Sequence, residues 1–232
     1  MRCEGRLSRT AALLGDEAMH RLRAARVMLV GLGGVGGHAF DALVRSGVGN
    51  LILVDFDTVD VSNLNRQLLA DATTVGRKKT EVAAERASLI SEDVNVTLHN
   101  GRITPENAEA LLSEHRPTLV LDACDDVPAK VALAVAAKRL GISLVSCLGT
   151  GNRLDPTAIT VTDLSKTEGC PLARALRTRL RREGIVHLPV VFSREPSRPS
   201  LDPAVPVASS PFVPAAAGLA LAAEAVRRLT EG

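Results

Sequence analysis

Four polar stations in this 232-residue chain hold residues able to do chemistry. The first is GLGGVGG at 31–37, in which Gly31, Gly33 and Gly36 are spaced as G-x-G-x-x-G. An apolar run, Val27 to Val30, precedes it, and a helical pattern starts behind it at Ala39 to Val44. Glycines there let the backbone approach a phosphate closely, and a helix N-terminus supplies free N–H groups and partial positive charge. A second apolar run, Leu51 to Val54, ends at Asp55. That acid lies about 20 residues past the glycines, where a carboxylate meets a ribose hydroxyl. A bare glycine triplet is usually a turn, but one that follows a strand and opens a helix points to a nucleotide site.

The second station, DFDTVDVSNLNRQ at 55–67, gathers Asp55, Asp57, Asp60, Ser62, Asn63, Asn65, Arg66 and Gln67. A solvated loop would suit it. Its position, at the C-terminal end of the second strand, is also where ligands bind in open α/β sheets. The third station is GRKK at 76–79, which opens an amphipathic helix with Val82, Ala83, Arg86 and Ile90 along its stripe. A cation at a helix start opposes the dipole, so Lys78 or Lys79 makes sense there if it points at a phosphate. A lysine lying along the surface is the alternative. The fourth station is LDACDD at 121–126, where Asp125 lies just past the strand Leu119 to Leu121. A carboxylate beside phosphates repels them unless a divalent cation intervenes, and Mg²⁺ takes one or two carboxylates with phosphate oxygens. Asp125 or Asp126 can equally cap the helix expected over Val127 to Leu140.

The elements that must position these stations alternate strand and helix, so the expected fold is α/β: a Rossmann-like, mostly parallel sheet with flanking helices. At the start, Asp16 is expected to cap a short helix from Glu17 into Arg23, and Arg2, Arg6 and Arg9 alternate with apolar residues. Val94 to Leu98 reads as a third strand. Thr104 and Pro105 read as the cap and first position of a further helix. Ser143 to Leu148, Ala158 to Thr162 and His187 to Phe192 complete the strands. Pro171 opens a helix with Leu172, Leu176 and Leu180 on its stripe. Its arginines, Arg174, Arg177, Arg179, Arg181 and Arg182, read equally as a solvated face or a surface for a polyanion. Residues 195–209 are rich in Pro and Ser and read as a mobile loop, and Ala215 to Leu229 closes the chain as a helix. We expect one domain over 1–232, with a nucleotide-binding core at about 24–163 and a C-terminal strand and helix extension at about 164–232.

Composition narrows the class. Nearly half of the residues are apolar and the charges almost cancel, so bulk electrostatics do not force a nucleic-acid partner. The absence of Trp and Tyr, with only four Phe, argues against a base-stacking RNA platform. Cys3, Cys124, Cys147 and Cys170 form no C-x-x-C pair, which argues against a zinc knuckle or a thioredoxin-like motif. Scattered cysteines without a signal peptide suggest a reducing, cytoplasmic setting. The apolar stretch Pro211 to Ala223 is too short to span a bilayer.

Taken together, GLGGVGG, DFDTVDVSNLNRQ, GRKK and LDACDD resemble the ubiquitin-activating-enzyme-like (ThiF/MoeB-type) adenylyltransferase superfamily, whose bacterial members activate a carboxylate with ATP. Within it, RLSRTAALLG, GTGNRLDPTAITVTDLSKT, CPLARALRTRLRREGI, VVFSREP and SPFVPAAAGLALA look like the tRNA threonylcarbamoyladenosine dehydratase family. The sulfur-carrier activators usually carry two C-x-x-C pairs, and this chain has none. The resemblance implies an ATP-dependent ligase-type enzyme that cyclises threonylcarbamoyladenosine at tRNA position 37 through a carboxyl adenylate. It also implies roles for particular residues. Gly34 sits in the phosphate loop, Asp55 holds the ATP ribose, and Ser62, Asn63, Asn65 and Arg66 line the nucleotide. Lys79 neutralises phosphate charge, and Asp125 holds Mg²⁺ with Asp126 beside it. Arg9 matches an arginine placed in the partner subunit's site, which implies a homodimer; Arg6 and Gln67 are secondary candidates. Cys170 stands where many relatives have Asp, leaving open a redox role or a sulfur-transfer partner. The alternatives are an adenylyltransferase for a sulfur-carrier protein, a nicotinamide-dependent oxidoreductase and a non-catalytic nucleotide-binding protein.

Overall fold

The computed structural model describes residues 5–231, so Arg2 and Cys3 lie outside the described residues. In chain order the elements are α1 (Ser8–Leu14), α2 (Asp16–Ala24), β1 (Arg26–Val30), α3 (Gly36–Ser46), β2 (Asn50–Val54), α4 (Lys79–Ile90), β3 (Asn95–His99) and α5 (Ala108–His115). They continue with β4 (Leu119–Asp122), α6 (Val127–Leu140), β5 (Ser143–Cys147), β6 (Ile159–Asp163), α7 (Pro171–Arg182), β7 (Pro189–Ser193) and α8 (Phe212–Glu231). The strands form one sheet in the order β3-β2-β1-β4-β5-β7-β6. Every neighbouring pair is parallel except β6 with β7.

Strand alternation divides the core in two. Val27, Leu29, Leu51 and Leu53 point to the face covered by α2, α3, α4 and α8. Met28, Val30, Ile52 and Val54 point to the face covered by α5, α6 and α7. The central strands are apolar on both faces, as parallel strands between two helical layers must be. β1 is the strand from which the order runs both ways, and the loops after β1, β2 and β4 all leave the same sheet edge.

Several sequence expectations shift. The strand near 190 does not trail behind a finished core, since β7 inserts between β5 and β6. Val190 and Val191 are fully buried because both layers cover them, so the residues after 163 complete the sheet. Asp16 is the first helical residue of α2 and not its cap; Gly15 occupies the cap position, and the acid sits favourably in the first turn. Thr104 caps no helix. Its N–H donates to Asn107 Oδ1 (2.8 Å) in a turn, and α5 starts only at Ala108. The buried stripe of α7 is Ala173, Leu176 and Leu180, with Leu172 turned toward the loop at Gly149.

The segment 195–209 is irregular but tied down at both ends. Asn152 N–H donates to Ala208 O (2.7 Å), Ala208 N–H to Asn152 Oδ1 (2.7 Å), and Arg198 N–H to Asn152 O (2.9 Å). No helix among the described residues is long and apolar enough to cross a membrane.

Candidate active site

The loops after β1, β2 and β4 open onto a cavity of about 790 Å³, the size of a small-molecule site. Its floor is the glycine turn. Gly36 packs so tightly beneath Gly31 that a Cβ would lie 1.7 Å from Gly31 O, so only glycine closes the turn there. At Gly31, with φ +89, a Cβ would lie 2.9 Å from the backbone of Ala123 and Cys124, so glycine lets the β1 loop pack against the β4 loop. Gly34 is covered by Pro214 from the start of α8.

Asp55 is buried, and its carboxylate binds the turn from within. Oδ2 accepts from Leu32 N–H (2.5 Å) and Oδ1 from Asp57 N–H (2.8 Å). Asp57 in turn pairs with Lys79, whose Nζ lies 2.9 Å from Asp57 Oδ2 on a side chain only 5% exposed. The cation at the start of α4 is therefore a buried one at the cavity wall, paired with Asp57. Lys78 is the capping residue and does not line the cavity.

Much of the polar loop serves its own folding. Asp60 and Asn63 form a reciprocal cap around a single 3₁₀ turn, Val61–Asn63. Arg66 is held by Ser62 O (2.7 Å) and Asn65 Oδ1 (2.8 Å), and Asn65 Nδ2 donates to Ser209 O (3.0 Å). Gly31, Gly33, Gly34, Asp55, Asp57, Asn63, Arg66, Lys79, Asp125 and Asp126 all line the cavity. Gly36, Ser62, Asn65 and Arg9 do not. Gly36 shapes the turn, and Ser62 and Asn65 set the Arg66 side chain. Arg9 is exposed on α1, and Arg6 ties α1 to the body by donating to Val44 O (3.2 Å) and Ser91 Oγ (2.5 Å).

The two acids after β4 divide their roles. Asp126 Oδ2 accepts from Ala129 N–H (3.1 Å) and caps α6. Asp125 is exposed to the cavity and has no hydrogen-bond or ion-pair partner among the described residues. Five carboxylates (Asp55, Asp57, Asp60, Asp125, Asp126) line the cavity against three cations (Arg66, Lys79, Arg102).

Beneath this wall lies a network that sequence reasoning missed. Lys130 Nζ meets Asp122 Oδ2 (3.0 Å), Ser146 Oγ (3.2 Å) and Cys147 O (2.6 Å), and Lys130 and Asp122 are both fully buried. Asp122 Oδ1 accepts from Cys124 N–H (3.2 Å) and Sγ–H (3.0 Å), which fixes the loop that carries Asp125. Burial first, and then the Asp122 carboxylate, push the Cys124 thiol far above its ordinary value. Burial pushes Cys147 up to about 12. Both cavity-lining thiols therefore stay protonated, and neither offers a thiolate for a thioester. Cys170 is buried at the start of α7.

Other residues missed from sequence close the far side. Leu172, Val207, Ser209 and Pro214 come from segments beyond residue 170, and Arg102 stacks over the Phe56 ring at 4.0 Å. Leu172 and Pro214 stand in segments that carried the resemblance, but nothing local in the sequence aims any of these side chains at the cavity. Gln67 Oε1 is buried without a hydrogen-bond partner beside Gly33.

A glycine cradle after β1, a lysine at the start of α4 and an unpartnered aspartate after β4 meet around one cavity, a set of groups suited to the phosphates of a nucleotide. The ThiF family model matches residues 7–232. The chain belongs to the ThiF family. It is 36% identical over 238 residues to the tRNA threonylcarbamoyladenosine dehydratase of Bacillus subtilis (strain 168), covering 96% of this chain and 93% of that protein. It is 42% identical over 182 residues to the Escherichia coli (strain K12) protein of the same name, covering 78% of this chain and 68% of that one. The structure of the E. coli dehydratase, TcdA, in complex with ATP superposes with a TM-score of 0.90 at 36% identity, covering 97% of this chain and 94% of that chain. The family's mostly parallel sheet is the one described above.

Proposed function

We propose that this ThiF-family chain consumes ATP to cyclise threonylcarbamoyladenosine at tRNA position 37, with net loss of water, through a carboxyl adenylate. What carries the reading is the likeness to the ATP-bound dehydratase over 97% of the chain. The lack of any C-x-x-C pair tells against a sulfur-carrier activator.

ATP is a substrate in this scheme. Its phosphates lie over Gly31 to Gly34 at the N-terminus of α3, and its ribose meets Asp55. Arg66 and Lys79 bring positive charge to the phosphates. One oxygen of the substrate carboxylate bonds to the α-phosphorus as the bond to the bridging oxygen breaks, and pyrophosphate leaves. A nitrogen of the same modification then bonds to the activated carbonyl carbon and loses its proton, and AMP departs with the acyl C–O electrons. That second step is intramolecular, so positioning lowers its barrier by several kcal/mol, the effective-molarity effect. The protonated thiols Cys124 and Cys147 accord with a route that needs no thioester.

The donor set suits Mg²⁺. The cavity's excess of carboxylates over cations leaves a triphosphate short of counter-charge, and Asp125 is an unpartnered oxygen donor. Asp125 would hold the ion, with Asp126 beside it, and the ion would polarise the α-phosphate. In a homodimer, Arg9 would reach the partner subunit's cavity, which accords with its exposure and its distance from its own.

The test is pyrophosphate release from ATP with modified tRNA, unmodified tRNA and a sulfur-carrier protein in parallel. Release with modified tRNA alone is expected. Release with the carrier and none with modified tRNA defeats the reading. Asp125→Ala should abolish turnover while the protein stays folded, and retained turnover would remove the metal role.

A further inference from the structure

The outward face of α7 is positively charged without internal compensation. Arg174, Arg179, Arg181 and Arg182 are all exposed, and α7 contains no acid. None of the four has an ion pair or hydrogen bond to the side chains of the described residues. Other exposed arginines are either paired, as Arg45 with Asp41, Arg139 with Glu109 and Arg227 with Glu224, or stand singly, as Arg9, Arg116 and Arg194 do; four unpaired ones share one helix only on α7 among the described residues. Arg177 on the same helix turns inward to the Thr167 carbonyl (2.7 Å). The helix dipole accounts for cations in the last turn but not for Arg174 in the first, where a cation opposes it. Arg179 and Arg182 stand one turn apart and repel. The face bears a groove of about 480 Å³ lined by Arg174, Thr178, Arg179 and Arg182.

We propose that this face of α7 binds the phosphate backbone of the RNA whose modified base enters the ATP cavity. The inference rests on the tRNA reading above and adds where the RNA lies. Continuity supports it: Leu172, in the first turn of the same helix, lines the cavity, so the helix that carries the arginines begins at the cavity wall. Chemistry supports it too. Guanidinium groups pair with phosphate in a bidentate fork, and Arg174 to Arg182 extends about 12 Å along the helix. The face lacks the large exposed apolar side chains that anchor a protein–protein interface. A chain without Trp or Tyr must hold RNA by its backbone more than by stacked bases.

The experiment compares wild type with Arg174→Ala/Arg179→Ala/Arg182→Ala; alanine is a good helix former, so α7 should persist. Arg45→Ala, a paired arginine away from α7, is the control. Binding of modified tRNA is measured against salt concentration, with ATP affinity and steady-state kinetics alongside. Each lost phosphate contact lowers the slope of log K against log salt by about 0.7 to 0.9. The triple variant should therefore lose about two units of slope and raise KM for tRNA at least tenfold. Its ATP affinity and its kcat at saturating tRNA should hold. An unchanged slope and KM overturn the proposal, as does a helix needed only to bind an acidic protein, or wild type that fails to bind RNA. Binding needs no turnover, so the two readings separate. Wild type that binds RNA through α7 but releases no pyrophosphate defeats the dehydratase reading alone.

Discussion

Replacing Lys130 with Met tests whether the buried pair under the cavity holds the β4 loop in place. Methionine keeps the length and bulk of lysine and removes its charge. In the native protein the three donors of Nζ meet three acceptors, on Asp122, Ser146 and Cys147. Burial alone pushes the ammonium's pKa down, and the Asp122 carboxylate more than reverses this, so it stays raised. Without Lys130 the Asp122 carboxylate stays out of water, with only Ser146 Oγ–H (2.6 Å) and the Cys124 donors left to it. Stripping one partner from a buried pair costs about 3–5 kcal/mol. The surviving hydrogen bonds, and the relief of lysine's own desolvation, put the expected loss near the lower end, about 3 kcal/mol. With a urea slope of about 2–3 kcal/mol per M, the midpoint falls by about 1 M or slightly more. The double variant Lys130→Met/Asp122→Leu removes both charges and should recover part of that loss. Equilibrium urea unfolding of the three proteins decides it. A single-variant loss below about 1 kcal/mol, or a double variant no more stable than the single, refutes the argument.

Other changes separate the site's parts. Gly36→Ala forces the glycine turn open, because the new Cβ would sit 1.7 Å from Gly31 O. It should cost about 3 kcal/mol, the upper part of the overpacking range, and abolish ATP binding, read by thermal unfolding and calorimetric titration. Asp126→Ala removes the α6 cap and should cost about 1 kcal/mol while ATP still binds. Asp125→Ala should shift stability by no more than about 0.5 kcal/mol. His38 gives the pH test. Burial lowers its pKa below the ordinary value of 6.5, Asp41 opposes the shift, and Arg86 adds to it. The folded protein thus binds fewer protons there than the unfolded chain, so His38 costs stability as pH falls from 6.5 toward its lowered value. His38→Gln should flatten that slope, and an NMR titration of the imidazole above 6.5 would contradict it.

The sequence by itself determined the nucleotide floor. Local rules suffice there: a buried strand, glycines that admit backbone contact, a helix start behind them and an acid after the next strand. The same rules marked the apolar runs that became β1, β2, β4 and β5, and the 127–140 helix to its ends. They could not say which of two adjacent aspartates caps that helix, because a cap is chosen by backbone geometry; the fold gives it to Asp126 and leaves Asp125 free. They named Lys79 and Asp57 separately, and only the meeting of the β2 loop with α4 made them a pair.

Tertiary structure alone decided the rest. Lys130 lies in an Ala-rich helix with no local sign of burial, since burying a lysine makes sense only when Asp122 and Ser146 from two other elements meet it. The strand at 189–193 reads as a trailing element because pattern cannot reveal that it slips between two earlier strands. The cavity's far wall comes from residues 149–214, brought there by long-range pairing that no local spacing encodes. The arginines of α7 were visible from the start as a charge run. What the fold added is that four of them have no carboxylate to meet and stand on a helix that begins at the cavity wall, facts that depend on what packs nearby.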